Sequence, residues 1–336
     1  MTSITLADVA AHAGVSTATV SMVLRNRGRI SAATRRRVLE AIDTLGYVYN
    51  QTAANLRNRR SNQIGLLLHD ITNPFYAEMT AGLSQEMARH DLMLFLANSE
   101  ESVERQQKFV DSLLQNSAGG MVLCAARQTP TLFFEALKRR KIPAIMVVRP
   151  VNDAHFDFVG TDNFLGTQLA TRHLIAMGHR NIAFIGGSAT SSTRAQRLGG
   201  YTSTLVENGL PIRQEWILCS DASQSAGCQA AEPLFRAYPA ITAALCYQDV
   251  AALGVMQALR ALNRQIGRDV ALIGFDDITE AALVQPGLTT ISVAAREIGR
   301  TAGELLFRRM QGNDEPPKRI ILPPTLVIRG SCGFSG

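Results

Sequence analysis

The chain has 336 residues, which is long enough for two or three domains with sizeable cores. Apolar residues make up 46% of the sequence and charged residues 18%, a composition that excludes a disordered chain and is typical of a folded globular protein. No window approaches the ~18 uninterrupted apolar residues of a membrane span and no signal peptide pattern opens the chain, so we expect a cytoplasmic protein. The five Cys show neither C-x-x-C spacing nor clustered His; we therefore expect buried thiols, and no disulfide, metal or other cofactor.

The excess positive charge of the chain lies entirely in residues 1–60. This segment, called the head below, holds nine Arg and no Lys against Asp8, Glu40 and Asp43, which makes its net charge +6. Of the 34 basic and 28 acidic residues of the chain, the rest of the sequence therefore carries 25 of each and is neutral. Clustered Arg gains affinity for polyanions by displacing counterions from phosphates, so double-stranded DNA is the first partner that the sequence predicts.

The head begins with two short predicted helices. Thr5-Leu-Ala-Asp8 fits a capping box, so the first helix should begin at Leu6 and end at Gly14, which supplies a left-handed residue. Ser16 caps a second helix, expected from Thr17 to about Arg25. The apolar period of this second helix places on its outward face Thr17, Ala18, Ser21 and Met22.

A third helix completes the pattern of the head. It is predicted from Ala32 to Leu45, between Ser31 as its N-cap and Gly46 as its end. Two short helices joined by a three-residue turn with Gly are the unit that helix-turn-helix proteins use to read DNA. An ordinary three-helix bundle with a solvated Arg face is the alternative that the pattern leaves open.

The head resembles that of the lactose/galactose repressor family. The resemblance is carried by Ile4-Thr-Leu-Ala-Asp-Val-Ala, Ala13-Gly-Val-Ser-Thr-Ala-Thr-Val-Ser21 and the run from Ile30-Ser to Leu45-Gly-Tyr47 and Asn50. It implies a hinge helix that enters the minor groove, for which Ala53 permits close packing and Leu56 is the wedge between base pairs, although a plain linker is the alternative. It also implies that the residues contacting DNA are Thr5, Ser16, Thr17, Ala18, Ser21, Met22, Arg25, Arg29, Ser31, Thr34, Tyr47, Asn50, Ala53 and Leu56.

Met22 departs from the commonest pattern of that family, which places Arg at this position of the second helix. A Met side chain cannot form the bidentate hydrogen bonds that Arg makes with guanine. We therefore expect an apolar contact at the corresponding base pair, for example with a thymine methyl group, or no base contact at all.

From Ile64 onward, short apolar runs alternate with helix-length segments. The strands predicted from these runs are Ile64–Leu68, Leu92–Ala97, Gly120–Cys124, Ala144–Val148, Ile182–Gly186, Ala243–Cys246 and Val270–Phe275. The helices predicted between them include Ala77–Arg89, Val103–Leu114, Leu165–Met177 and Val250–Leu262. This alternation predicts an α/β fold with right-handed βαβ units in parallel, doubly wound sheets.

Three polar or Gly-containing turns follow these strands at Leu68-His-Asp, Ile185-Gly-Gly-Ser and Phe275-Asp-Asp. Doubly wound folds bind ligands beyond the carboxyl ends of their strands, so we expect a cleft for a small molecule there. The sequence has no phosphate loop, no nucleophile elbow and no paired His metal motif, and we therefore do not expect an enzyme.

This neutral part of the chain resembles the regulatory domain of the same family, whose fold is that of periplasmic sugar-binding proteins. The matching runs are Asn73-Pro-Phe-Tyr76, Asp162-Asn163, Met177-Gly-His-Arg-Asn-Ile182, Arg197-Leu-Gly-Gly-Tyr201, Gln248-Asp249, Ile273-Gly-Phe-Asp-Asp277 and Leu288-Thr-Thr-Ile291. The resemblance implies a small effector, a sugar or sugar phosphate, bound by His69, Phe75, Tyr76, Arg149, Arg197, Gln248 and Asp276.

Arg197 and Asp276 would hold effector hydroxyls from two sides, because Arg offers five donors and Asp accepts two protons. A structural ion pair between them is the alternative. Gln248 stands where the family usually has Asn, and Val148-Arg149 replaces a frequent Asp-Arg. The expected pocket therefore lacks one acceptor of hydroxyl protons.

The sequence thus predicts a helix-turn-helix domain at residues 1–49, a hinge helix and linker at 50–62, and an effector-binding and dimerisation domain of two Rossmann-like subdomains at 63–336. No Leu heptad follows Arg329, so we expect a homodimer, which matches a palindromic operator. The predicted function is a sugar-responsive repressor of a carbohydrate-utilisation operon. The alternative is a cytoplasmic sugar-binding or sugar-metabolising α/β protein whose head has no role on DNA.

Overall fold

The computed structural model describes residues 4–24, 28–48, 61–151 and 155–333. Its contacts divide the chain into two units, residues 1–61 and 62–336. Within the described ranges, no helix is both long and apolar enough to span a bilayer.

The first unit has a small core between short helices whose ends agree with the predicted caps. The helices are α1 (Leu6–Ala13), α2 (Thr17–Leu24) and α3 (Ala32–Leu45). The Thr5 hydroxyl accepts a hydrogen bond from the Asp8 amide (3.3 Å) and the Asp8 carboxylate accepts one from the Thr5 amide (2.8 Å), so the capping box is confirmed. Gly14 and Gly46 end α1 and α3 at φ values of 62° and 63°, a region open to Gly without strain. The buried core consists of Val9, Ala10, Ala13, Val20, Val23, Val38 and Ala41.

The second unit is an α/β body built on two sheets. Its strands are β1 (Gln63–Leu68), β2 (Met93–Asn98), β3 (Gly120–Leu123), β4 (Ala144–Val147), β5 (Asp157–Thr161), β6 (Ile182–Ile185), β7 (Ile217–Leu218), β8 (Ala243–Cys246), β9 (Ala271–Asp276), β10 (Thr289–Ser292), β11 (Arg319–Leu322) and β12 (Thr325–Val327). Its helices are α4 (Pro74–Ala88), α5 (Val103–Gln115), α6 (Thr131–Arg140), α7 (Asn163–Ala176), α8 (Ser192–Glu207), α9 (Gln224–Ala237), α10 (Asp249–Ala261), α11 (Thr279–Leu283) and α12 (Ala295–Met310).

Each sheet defines one subdomain. Strand order in the first is β11-β5-β4-β3-β1-β2, with every neighbouring pair parallel. The second has the order β12-β10-β9-β8-β6-β7 and is parallel except for β12, which runs antiparallel to β10. The predicted doubly wound, parallel architecture is confirmed, and all seven apolar runs form strands.

The chain passes between the two subdomains at three places: from β5 to α7, from β10 to α12 and from β11 to β12. The first and third passages are joined where the Thr161 hydroxyl donates a hydrogen bond to the Leu322 carbonyl (3.1 Å). Residues that follow the carboxyl ends of strands in both sheets line one cleft between the subdomains.

The expectation of buried thiols is wrong for one Cys. Cys124, Cys246 and Cys332 are buried and Cys228 is half-buried, but Cys219 is exposed, and all five are free. Cys219 directly follows β7, a strand of two residues at the edge of its sheet, where no further strand covers it.

Candidate functional site

The outward face of α2 carries the residues predicted to read DNA. Thr17, Ala18 and Met22 are exposed and Ser21 is half-buried, whereas the intervening Val residues of the helix are buried in the core of the first unit. Helical periodicity therefore separates a buried core face from an outward face, as predicted. Whether this face contacts bases stays a prediction.

Three further residues predicted to contact DNA stand at helix N-termini. Thr5 caps α1, the Ser16 hydroxyl accepts a hydrogen bond from the Thr19 amide at the start of α2 (3.2 Å), and Ser31 caps α3. Helix N-termini present unpaired amides and partial positive charge, which suits phosphate contacts.

The remaining DNA-contact predictions fall into two groups. Arg29 is exposed, while Thr34 and Tyr47 are half-buried, with Tyr47 packed against the small core. The others, with most of the predicted hinge helix, lie outside the described residues: Arg25, Asn50, Ala53 and Leu56.

A second candidate site lies in the cleft between the subdomains. Six of the seven predicted effector residues line one small cavity of about 20 Å³: Phe75, Tyr76, Arg149, Arg197, Gln248 and Asp276. His69 lines an adjoining chamber of about 270 Å³, which Arg149 and Gln248 also line. The structure brings the predicted residues together because most of them follow the carboxyl ends of β1, β4, β8 and β9. That they bind an effector stays a prediction.

Arg197 is held by several contacts at this small cavity of about 20 Å³, called the inner cavity below. Its Nε donates to Asn163 Oδ1 (2.9 Å) and its guanidinium donates to the Tyr247 carbonyl. The guanidinium carbon also lies 3.6 Å from the ring centroid of Phe275, a cation–π contact. By contrast, the separation from Asp276 Oδ1 is 3.5 Å, which makes this a long, single contact. Neutral partners therefore fix Arg197, and the carboxylate is only weakly bound to it.

Two buried oxygen atoms of the cavity have no hydrogen-bond partner among the described residues: Gln248 Oε1 and Asp276 Oδ2. Burial raises the pKa of Asp276 to about 8, although the charge of Arg197 opposes this rise. Buried polar atoms in folded proteins are nearly always paired, so two unpaired oxygen atoms beside one Arg indicate a place where hydroxyl groups of a ligand can form hydrogen bonds.

His69 is a neutral member of a buried hydrogen-bond network. Its Nε2 lies 3.0 Å from the Arg149 guanidinium and 3.0 Å from the Tyr76 hydroxyl. Because Arg only donates, Nε2 must accept, which leaves the proton on Nδ1, 3.4 Å from Cys124 Sγ. Burial, and next the charge of Arg149, lower the pKa of His69 to about 3. It acts as an acceptor that orients Arg149.

Glu101 is a cleft residue that the sequence analysis missed. Its carboxylate receives two hydrogen bonds from the Arg149 guanidinium (2.7 and 2.9 Å) and one from the Arg127 amide (2.8 Å). Burial opposes ionisation, but these bonds and the charge of Arg149 lower the pKa of Glu101 to about 2. The one sequence signal for it is a Glu-Glu pair placed between the end of β2 and the Ser102 cap of α5.

Asn163 and Tyr247 were also not assigned a role from the sequence. Asn163 lay inside a matching run and Tyr247 directly precedes one. Both contact Arg197, as described above, and both line the inner cavity. Both residues matter to the site because they hold the Arg197 side chain. The sequence alone does not show that they lie next to Arg197.

Val148 lines the inner cavity at the position where the family frequently has Asp. Its φ is 65°, a left-handed conformation that is strained for a β-branched residue and easier for Asp or Asn. Asp276 (φ 120°) and Ala294 (φ 51°) are further positive-φ residues beside the cleft. Backbone strain that persists in this way clusters at functional sites.

Metal binding finds no support in the described part of the chain, where no group of three or more His, Cys, Asp or Glu is arranged to hold an ion.

Two family models match the two parts of the chain. The family model of bacterial regulatory proteins of the lacI family matches residues 5–50, and that of the periplasmic binding proteins and sugar binding domain of the LacI family matches residues 61–330. The maltose regulon regulatory protein MalI of Escherichia coli (strain K12) is 36% identical over 333 residues, covering 96% of this chain and 97% of that protein.

Two solved structures of similar proteins cover almost the whole chain. The lac repressor dimer bound to operator and the anti-inducer ONPF has a TM-score of 0.85 at 28% identity, and the match covers 98% of this chain and 99% of that one. The complex of the transcriptional regulator CelR with cellobiose has a TM-score of 0.75 at 29% identity, with the same two coverages. These relatives are regulators and not enzymes. The chain belongs to the LacI family of DNA-binding transcriptional regulators.

Proposed function

We propose that this protein is a cytoplasmic, homodimeric repressor of a carbohydrate-utilisation operon, which binds a palindromic operator and changes its affinity when a small sugar-like metabolite enters the cleft. The observation that carries the effector proposal is the pair of buried, unpaired oxygen atoms, Gln248 Oε1 and Asp276 Oδ2, beside Arg197. A polyol supplies hydroxyl groups, which can donate to Gln248 Oε1 and can donate to or accept from the Asp276 carboxyl group.

The names of the relatives support this class of effector. One similar structure contains cellobiose, and a similar curated protein regulates the maltose regulon. The cleft also offers aromatic side chains at its wall, Phe75 and Tyr76, which suit the apolar face of a sugar ring.

The surface of the body supports the homodimer. Met93, Phe95 and Leu96 are 61%, 44% and 44% exposed on β2, which is one of the two edge strands of its sheet. Exposed apolar side chains on an edge strand favour aggregation unless a partner covers them. The similar lac repressor structure is a dimer on its operator.

The experiment that tests the proposal is fluorescence anisotropy with labelled DNA from the promoter beside the gene of this protein. We expect specific binding with a Kd of about 10⁻⁸ to 10⁻¹¹ M at physiological salt and two chains per site. A shuffled duplex of the same composition is the control. Equal affinity for both duplexes would contradict a sequence-specific regulator and favour the sugar-binding alternative.

Met22→Arg is expected to change the preferred base at one symmetric position of the operator toward guanine. Arg supplies two donors to the O6 and N7 edge of guanine, and such a pair discriminates against other bases by about 1–3 kcal/mol. Binding-site selection from a randomised duplex measures the change. Met22→Leu, which keeps an apolar side chain of similar size, should retain the parent preference. The same selected sequence from both variants would mean that residue 22 does not reach the bases.

A further inference from the structure

The cleft contains an outer chamber that differs in charge from the rest of the site. Its volume is about 400 Å³, and the polar and charged residues in its wall include Arg127, Thr129, Thr131, Arg149, Ser192 and Gln196. No carboxylate belongs to this wall among the described residues, whereas the neighbouring chamber that His69 lines is also lined by Asp70, Glu100, Glu101 and Asp221. Arg127 and Arg149 line both chambers, so they lie between the acidic residues of the neighbouring chamber and the outer chamber.

Helix dipoles add to the positive character of the outer chamber. Thr131 is the first residue of α6 and Ser192 is the first residue of α8, helices of 10 and 16 residues from the two subdomains. The N-terminus of α6 has no side-chain cap, because Pro130 precedes it. The Phe133 amide of this end donates to the Pro130 carbonyl (3.0 Å), and the partial positive charges of both helix ends favour an anion between them.

The two Arg side chains of the chamber share one carboxylate, that of Glu101. Its oxygen atoms lie 2.7 and 2.9 Å from the Arg149 guanidinium and 3.5 Å from Arg127 Nε. Glu101 and the preceding Glu100 have φ values of 62° and 48°, so a strained turn holds the carboxylate in this place. Among the described residues, these two guanidinium groups therefore share one carboxylate as their direct ion-pair partner.

Arg149 connects the outer chamber to the inner cavity, because it lines both. Its side chain is 11% exposed and is oriented by His69 and Glu101. The inner cavity on the other side of Arg149 is lined by Gln248 and Asp276, each with one unpaired oxygen atom. These two residues are 7% and 5% exposed, and their unpaired atoms indicate independently that a ligand belongs in the cleft.

We propose that the effector is an anionic polyol, a sugar frame that carries a phosphate monoester or a carboxylate. Arg127, Arg149 and the N-termini of α6 and α8 bind its oxyanion in the outer chamber, in competition with Glu101, while Arg197, Gln248 and Asp276 bind its hydroxyls. Glu101 thus acts as an internal substitute for the anion when no effector is bound. This inference rests on the proposed function, since it specifies the effector of the same cleft.

The test measures binding of inorganic phosphate, and then of sugar pairs, to the full-length protein by calorimetry and thermal shift at constant ionic strength. We expect phosphate to bind the parent weakly and Glu101→Gln about tenfold or more tightly, because the competing carboxylate is lost. Arg127→Gln should weaken phosphate binding by about tenfold or more. Arg140→Gln is the matched control, because Arg140 lies at the other end of α6 and is half-exposed.

The sugar pairs are glucose with glucose 6-phosphate and glucose with glucuronate, which distinguish phosphate from carboxylate as the anion. Glucose 6-phosphate or glucuronate, or both, should bind more tightly than glucose and change operator affinity. Arg127→Gln should reduce the difference in affinity between the charged sugar and glucose. Equal binding of charged and neutral sugars, with no effect of Arg127→Gln, would overturn the proposal, and so would the absence of phosphate binding in both the parent and Glu101→Gln.

Operator binding without ligand separates this proposal from the proposed function. Arg140→Gln should bind operator like the parent, since Arg140 lies outside both the head and the cleft, and thermal unfolding shows whether each variant folds. If operator is bound specifically and only neutral sugars modulate it, the anionic effector is wrong and the repressor remains. If the parent binds no operator specifically, the proposed function is wrong whatever phosphate does.

Discussion

Operator affinity is expected to fall by about three to five decades when the salt concentration is raised from about 50 to 200 mM. The physical reason is counterion release by a head of net charge +6, which a dimer uses twice. If ~6–10 phosphates are neutralised, the slope of log affinity against log salt is about −0.9 for each of them. Fluorescence anisotropy with the operator duplex over a series of KCl concentrations measures this slope directly.

Two variants that each lose one positive charge, one in the head and one in the body, test whether the salt dependence comes from the head. Arg37→Gln removes an exposed charge from α3, and we expect it to reduce the slope by up to about one unit if Arg37 contacts a phosphate. Arg172→Gln removes an exposed charge from the body and should leave the slope unchanged. A flat salt dependence of the parent protein would show that the charge of the head does not drive binding.

Arg197→Ala and Asp276→Asn are each expected to abolish the effector response while operator binding persists. An effector shifts the DNA-binding equilibrium only by its differential affinity for two conformations of the body, and the coupling is typically about 1–3 kcal/mol, a factor of roughly 5–150 in operator affinity. Arg197 and Asp276 contact the inner cavity from helix α8 and strand β9. Removing either side chain should remove this differential binding and leave α2 unchanged.

The measurement combines calorimetry with an active sugar or sugar phosphate and operator binding by the same variants. Arg194→Ala is a matched control, because Arg194 is also buried on α8 and donates to the Gly186 and Leu218 carbonyls, yet it does not line the cavity. It should lower stability by an amount similar to Arg197→Ala and retain the response. Normal effector response of both cavity variants would refute the site, and loss of operator binding without ligand would mean that these residues maintain the fold.

Several parts of this protein could be predicted from the sequence because short-range interactions determine them. The bounds of α1 and α3 follow from caps within a few residues, a capping box at Thr5 and left-handed Gly14 and Gly46. The buried strands follow from apolar runs that only a covered parallel sheet accommodates. The basic head and the family resemblance likewise depend only on the order of residue types along the chain. The same is true of the prediction of most cleft residues, which followed from that resemblance.

The short edge and connecting strands could not be predicted in this way. β11 joins the first sheet beside β5, although about half the length of the chain separates them, and β12 closes the second sheet in the antiparallel direction. Their residues are partly exposed, so they lack the continuous apolar pattern of a central strand. Their pairing depends on which sheet edge remains uncovered after the rest of the body has folded.

The sequence by itself determined the chain's family, its two kinds of domain and the residue types available to the cleft. Only the tertiary structure decided which contacts those side chains make. Arg197 is held by a backbone carbonyl and by Asn163, and Asp276 is left with an unpaired oxygen. The Glu101 carboxylate forms an ion pair with Arg149. Hydrogen bonds and burial between residues far apart in sequence depend on positions to within a few tenths of an ångström, and helix caps and apolar periodicity do not encode such positions.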